Sequence, residues 1–559
     1  MKQWINKSIF YHIYPLGFCG APEYNDGVQS YRLDKIIDWI PHLKALNINA
    51  VYFGPVFEAT KHGYDTKDYY KIDVRLGDNA SFKKICDLLH ANGIKVVLDG
   101  VFNHVGRDFW AFKDVQQNKQ NSMYCGWFHN LNFGGSSPKG DPFWYEGWSG
   151  HYDLVKLNLQ NSYVVEHLLG AVEKWIDEFD IDGLRLDAAD CVDMNFFRQL
   201  KDFCSRKKPG FWLMGEIIHG DYNRWANENM LDSVTNYECY KGLYSSHNDH
   251  NYFEIAHSLQ RQFSQGGIYQ KLTLYSFLDN HDVDRIASQL KDKNHLKNCY
   301  TLMYCMPGVP SVYYGSEWGA EGRRTRNDDR PLRPELNLGR IENADEDLNN
   351  WIAKLGKIRS ALEPLQFGSY KNDYIRNEQL VFSRSYNSHT VYIALNLSQN
   401  DSEVSFNAAG GFSRLTDALT GESFDNTGYV RIPVCGYGAR ILVMNNGDFS
   451  LSFDDKAEVI TKLKNKADES SVKKSRKKAV KDVKKEAEPL KEVTEGKYIG
   501  CDGSECDVLC VCEHSETGER LVIYKDIAKN KFFAVPYDTF TSLVDKDGKT
   551  VRSFDKIQK

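Results

Sequence analysis

No run of apolar residues in the 559-residue chain is long enough to cross a membrane. The first fifteen residues, MKQWINKSIFYHIYP, also lack the apolar core of a signal peptide. There is no excess of positive charge: 70 Lys and Arg against 76 Asp and Glu leave a formal charge of −6. That balance excludes a general affinity for nucleic acid. The thirteen cysteines are odd in number and scattered, with no CxxC pair. Such usage argues against a disulfide framework and sets the expected location as the reducing cytoplasm. Aromatic residues, by contrast, are plentiful, with 32 Tyr, 30 Phe and 11 Trp. They suit a sugar-binding enzyme and ordinary core packing equally well.

Eight short apolar or β-branched segments recur at 9–18, 49–56, 94–104, 181–190, 211–218, 232–238, 274–282 and 311–317. Helix-like stretches separate them, such as SFKKICDLLHANG with Gly93 as its stop. The alternation predicts an α/β fold, a (β/α)₈ TIM barrel over residues 1–104 and 161–365. Residues 105–160 are too long for a plain crossover and rich in Gly, Trp, Phe, Asn and Ser. They read as a small inserted subdomain over the barrel mouth. Residues 366–450 alternate as short strands and predict an antiparallel β-sandwich. Residues 451–495 are a Lys-rich linker, and 496–559 a separate small β-rich module. The lysine run is expected to be solvated; its alternative role, with the module, is to hold an acidic protein partner.

The stretch GLRLDAAD (183–190) carries the first chemical signal. Side chains two apart on a strand share a face, so Arg185 and Asp187 both turn into the barrel. A buried carboxylate is costly unless paired, and Arg185 supplies a partner that would lower its pKa and keep it ionised. Taken alone, the pair reads as a structural salt bridge. Barrel active sites, however, lie at the C-terminal strand ends. Those ends also hold Asp99 and Asn103-His104, then Glu216, then His281-Asp282. Several carboxylates with two histidines at one mouth fit glycoside hydrolysis, with a carboxylate nucleophile and a carboxylic acid/base. Asp187 suits the nucleophile, Glu216 the acid, and Asp282 stabilisation of an oxocarbenium-like transition state.

At these residues the sequence resembles the α-amylase family of retaining α-glucan hydrolases, glycoside hydrolase family 13, over about residues 5–447. The motifs DGVFNH (99–104), GLRLDAAD (183–190), GEI (215–217), FLDNHD (277–282) and GVPSVYYGSE (308–317) occur in the family's order. The resemblance implies Asp187 as nucleophile, Glu216 as acid/base and Asp282 as transition-state stabiliser. It implies that His104, Arg185 and His281 line the subsite of the attacked glucose, that Tyr64 of HGYDTKDYY stacks on that sugar, and that Arg330 of RPLRP reaches substrate. Its implied ligands are α-glucan oligosaccharides. Within the family the chain is most similar to cyclomaltodextrinases, neopullulanases and maltogenic amylases, though Ile218 stands where many have tryptophan. A transglycosylase or isomerase of the same family is the alternative reading.

Asn103 matches a calcium ligand of many α-amylases, and a structural asparagine is the competing role. No acidic calcium loop is visible in 105–160, so no cofactor is expected to be required. The tail resembles a small uncharacterised bacterial domain family through HSET (514–517), LVIY (521–524), Pro536, DG (547–548) and Phe554. Cys501, Cys506, Cys510 and Cys512 lie close in sequence, and buried thiols are favoured over a zinc site.

Overall fold

A computed structural model describes residues 3–451 except 327 and 342, and, in the tail, 493, 496–500, 505–513, 520–527, 531–541, 543–546, 549–552 and 554–556. The Lys-rich segment over 452–492, Cys501, HSET (514–517) and DG (547–548) lie outside the described residues. The chain divides into two compact units, Met1–Lys464 and Asn465–Lys559.

All eight expected strands form in the first unit. They are β1 (Phe10–Ile13), β2 (Ala50–Phe53), β3 (Lys95–Gly100), β4 (Gly183–Leu186), β5 (Trp212–Gly215), β6 (Ser233–Val234), β7 (Tyr275–Phe277) and β8 (Val309–Tyr313). Every neighbouring pair is parallel, in the order β6-β5-β4-β3-β2-β1-β8-β7. A bridge between Thr235 and Tyr275, backed by Asn236 N–H donating to Tyr275 O at 2.8 Å, joins the two ends into a closed barrel.

Strand β4 shows why the sequence folds this way. All four of its residues are buried. Leu184 and Leu186 belong to the large apolar cluster shared with the surrounding helices. Gly183 and Arg185 turn inward. A Cβ at position 183 would meet the Trp212 carbonyl oxygen at 2.6 Å, so glycine lets the Trp212 ring fill the interior. Phe10, Tyr52, Val97, Trp212, Met214, Tyr275 and Phe277 form that inner cluster. They plug the barrel and leave only its C-terminal end open to chemistry.

The insertion holds a three-stranded antiparallel sheet of His104–Gly106, His151–Lys156 and Gly147–Trp148. It returns to the barrel through the helix Ser162–Phe179, whose first turn is capped by the Asn161 side chain on Tyr163 N–H. Residues 369–445 form a six-stranded and a two-stranded antiparallel sheet. Val381, Tyr392, Ala394, Leu442 and Met444 pack towards the smaller sheet. Their alternate neighbours Leu380, Phe382, Val391, Ile393, Leu395, Ile441 and Val443 join the barrel's cluster. The larger sheet is thus apolar on both faces.

In the second unit, five antiparallel strands enclose Tyr498, Cys506, Val508, Val522 and Phe540. Cys506 is buried there, whereas Cys510 and Cys512 are exposed.

Trp212→Ala tests the plug. Truncating a buried tryptophan in a packed core costs about 3–5 kcal/mol. The expected result is a lower denaturant midpoint with an unchanged slope.

Candidate active site

One guanidinium organises the barrel mouth. Arg185 Nη1 lies 2.9 Å from both oxygens of Asp99 and 2.9 Å from Asp187 Oδ1. Its Nη2 lies 2.9 Å from Glu216 Oε2. Asp99 ends β3, Arg185 sits in β4, Asp187 follows β4, and Glu216 follows β5. Three strand ends therefore deliver three carboxylates to one cation. Asp99 is further held by the phenols of Tyr52, at 2.8 Å, and Tyr64, at 3.1 Å.

A strained turn completes the arrangement. Ala188 adopts φ +43, in the left-handed region, directly after Asp187. That conformation aims its N–H at Glu216 Oε2, 3.1 Å away. The next N–H, of Ala189, donates to the Glu216 carbonyl at 3.2 Å. No sequence signal marked Ala188, because the contact is made by its backbone.

Asp282 enters from the loop after β7. Asn280 Oδ1 accepts from the N–H groups of Asp282 and Val283 and sets the turn. Asp282 Oδ2 lies 2.9 Å from His281 Nε2, and Oδ1 accepts from Arg333 Nη2 at 2.9 Å. His281 is sandwiched between the Tyr14 and Tyr64 rings, at 5.8 and 5.4 Å, and its Nε2 also meets the Tyr64 hydroxyl. His104 Nε2 lies 3.8 Å from Asp187 Oδ2 and has no hydrogen-bond partner among the described residues. The His104 ring packs against Trp148 of the insertion, 5.4 Å away.

Of these, Tyr64, His104, Asp187, Glu216, Asp282 and Arg333 line a cavity of about 1180 Å³. Burial sets its electrostatics. The Asp187 carboxyl is pushed well above the usual range by burial. Arg185 opposes the shift, while Glu216, Asp99 and Asp282 add to it. This corrects the expectation that Arg185 alone would lower it: one shared cation does not outweigh burial and three anions. Burial acts the same way on Asp282, but His281, Arg333 and Arg185 together hold that carboxyl far below the usual range. Burial lowers His104 to about 3, which keeps the ring neutral.

A family model described as the α-amylase catalytic domain matches residues 12–356. The chain is 31% identical over 414 residues to a cyclomaltodextrinase from a Bacillus species, covering 70% of this chain and 73% of that one. It is 29% identical over 478 residues to neopullulanase 2 of Thermoactinomyces vulgaris, covering 79% and 78%. Among solved structures, a debranching enzyme from Nostoc punctiforme superposes with a TM-score of 0.67 at 26% identity, covering 79% of this chain and 99% of that one. The chain belongs to the α-amylase family. Residues 498–556 match a separate family of proteins of unknown function, DUF1653.

Of the expected site residues, Asp187, Glu216, Asp282, Tyr64, His104, Arg185 and His281 all converge. Arg330 lines the same cavity at its rim, where its side chain is 74% exposed and paired with Asp328 at 2.8 Å and with Glu23 at 3.7 Å. Arg333, three residues on, is the arginine that reaches Asp282. The motif RPLRP carries both arginines around a one-turn 3₁₀ helix, and sequence alone does not say which one turns in. Ile218, 46% exposed, lines the cavity with Trp148, Leu154 and Cys191.

Asn103 is fixed by hydrogen bonds to its neighbours. Its side-chain nitrogen lies 3.1 Å from His104 Nδ1, and its carbonyl accepts from Leu157 N–H. Asp141, the buried carboxylate of the insertion, is already engaged by Arg107, Ser137 and Gln116.

Arg185→Met leaves the clustered carboxylates without their common cation, at a cost of about 3–5 kcal/mol. It raises Asp187 further. A carboxyl raised in the folded state contributes stability below its unfolded value and loses it as pH rises through the folded value. The drop in melting temperature relative to wild type should therefore be larger at about pH 8 than at about pH 5. A pH-independent drop would contradict this electrostatic account.

Proposed function

We propose that the chain hydrolyses α-1,4-glucosidic bonds of maltodextrins, with cyclodextrins and pullulan as further substrates, and with retention of anomeric configuration. The observation that carries this reading is the Arg185 hub, which holds Asp187 and Glu216 on its two terminal nitrogens. Asp187 is the nucleophile. The reaction requires Asp187 ionised and a proton on Glu216 when substrate is bound.

Asp187 Oδ attacks C1 of the glucosyl unit while the C1–O bond breaks, and the leaving oxygen takes the Glu216 proton. A water molecule then gives a proton to Glu216 and attacks C1, which releases Asp187 and the sugar. Asp282, ionised and pinned at both oxygens, stabilises the positive charge that develops on the ring. Neutral His104, its buried Nε2 free beside Asp187, and the Tyr64–His281 stack bind the attacked glucose.

Transglycosylation is the second reading, and the cavity wall favours keeping it. Ile218, Trp148 and Leu154 give the cavity apolar surface, on which an acceptor sugar can dock and its hydroxyl replace water as the attacking group. We also place the protein in the cytoplasm. Cys86, Cys239, Cys299 and Cys305 are buried free thiols, in keeping with a reducing compartment. Among the described residues no helix is long and apolar enough to cross a membrane.

Product analysis on maltoheptaose, β-cyclodextrin and pullulan, with Asp187→Asn run alongside, tests the reading. The expected result is cleavage of all three by the wild type, with kcat lower by at least about 10⁴-fold in the variant. Products longer than the substrate would favour the transglycosylase, and an unaffected variant would remove Asp187 from the chemistry.

A further inference from the structure

Two groups at the mouth serve no step of the reaction as written: the loop after β8, which carries Arg333, and the short helix Pro15–Phe18 on which it rests. A Cβ at Gly17, inside that helix, would stand 2.2 Å from the Arg333 carbonyl oxygen. The two backbones are therefore in direct contact. The Arg333 side chain then runs back across the Tyr14 ring, 4.6 Å from its centroid. Its Nε donates to the His281 carbonyl at 2.9 Å, and Nη2 donates to Asp282 Oδ1 at 2.9 Å. Asp329, one turn back, steadies Nη2 at 3.4 Å. Only 12% of the side chain is exposed.

We propose that Arg333 is a positioning residue for Asp282: it clamps the His281–Asp282 peptide and one carboxylate oxygen together, so that docking of the β8 loop sets the transition-state stabiliser. This rests on the assignment of Asp282 proposed above. The geometry is that of a two-point hold. One nitrogen fixes the backbone and the other fixes the carboxylate, which a single ammonium cannot reproduce. The opposite oxygen is held by His281, so each oxygen has its own donor.

The remaining charged and titratable groups facing Asp282 are Arg185, Asp187, His12, Tyr64 and Tyr237. Arg324 Nη1 approaches its carbonyl at 3.5 Å. Of the cations, Arg185 is shared with three other carboxylates. Arg333 is thus the arginine whose loss burial would exploit most directly. Without it the Asp282 carboxyl rises, and because the ionised form is required, the acid limb of kcat moves to higher pH.

The experiment is a cycle of wild type, Arg333→Met, Asp282→Asn and the double variant on one glucan, with Arg333→Lys as a fifth protein. Arg333→Met should lower kcat by at least about tenfold, with KM changed less than about threefold. Its acid limb should shift upward. Arg333→Lys should restore the limb's position but only part of kcat. In the Asp282→Asn background, Arg333→Met should cause no further loss.

Losses that multiply in the double variant would overturn the proposal, since Arg333 would then act independently of Asp282. A rise in KM alone would overturn it too, by making Arg333 a substrate contact. If the methionine variant does not fold, Arg333→Gln takes its place in the same cycle. An inactive wild type would instead overturn the proposed function, so the two failures are distinguishable.

Discussion

Three carboxylates can share one buried barrel mouth only if a cation sits among them, and here that cation is Arg185. It touches Asp99, Asp187 and Glu216 at 2.9 Å each. In a site of low dielectric, leaving any of these anions without a partner costs several kcal/mol. The fold meets that requirement by placing the arginine on β4, in register with Asp99 and two residues before Asp187. The Tyr52 and Tyr64 phenols hold Asp99 against it. The same constraint separates the roles of the acids. Asp187 is dominated by burial and like charge, Asp282 by two dedicated donors.

The barrel and its sandwich were legible in the sequence because their strands are buried and alternate. GLRL reads as two leucines facing the helices and a glycine and an arginine facing in, and the structure places them so. The sandwich strands QLVFSRSY and ARILVMN likewise divide their residues between two apolar faces. The polar strand ends that converge on the mouth were legible for the same reason: barrel geometry alone dictates where they meet.

What was not legible depends on contacts that no spacing encodes. Arg330 and Arg333 are equivalent in the string RPLRP, and only the close approach of Gly17 to the loop backbone shows which one turns inward. The Ala188 turn acts through a backbone N–H, invisible in a side-chain pattern. The direction of the Asp187 shift depends on counting every charge around it. A sequence shows the neighbour two residues away, Arg185, but not the anions delivered by β3, β5 and the loop after β7. The insertion's contribution, Trp148 stacked on His104, is of the same kind.

In this mechanism the carboxylate two residues after Arg185 forms the bond to the sugar. Trapping tests it most directly: Glu216→Gln slows release of the intermediate, and an α-glucosyl fluoride supplies a leaving group that needs no acid. Mass spectrometry of the quenched, digested protein should find one added glucosyl unit on the peptide containing Asp187, absent when Asp187→Asn is introduced as well. A glucosyl unit on a different carboxylate, or turnover of the fluoride with inverted product and no adduct, would contradict the account.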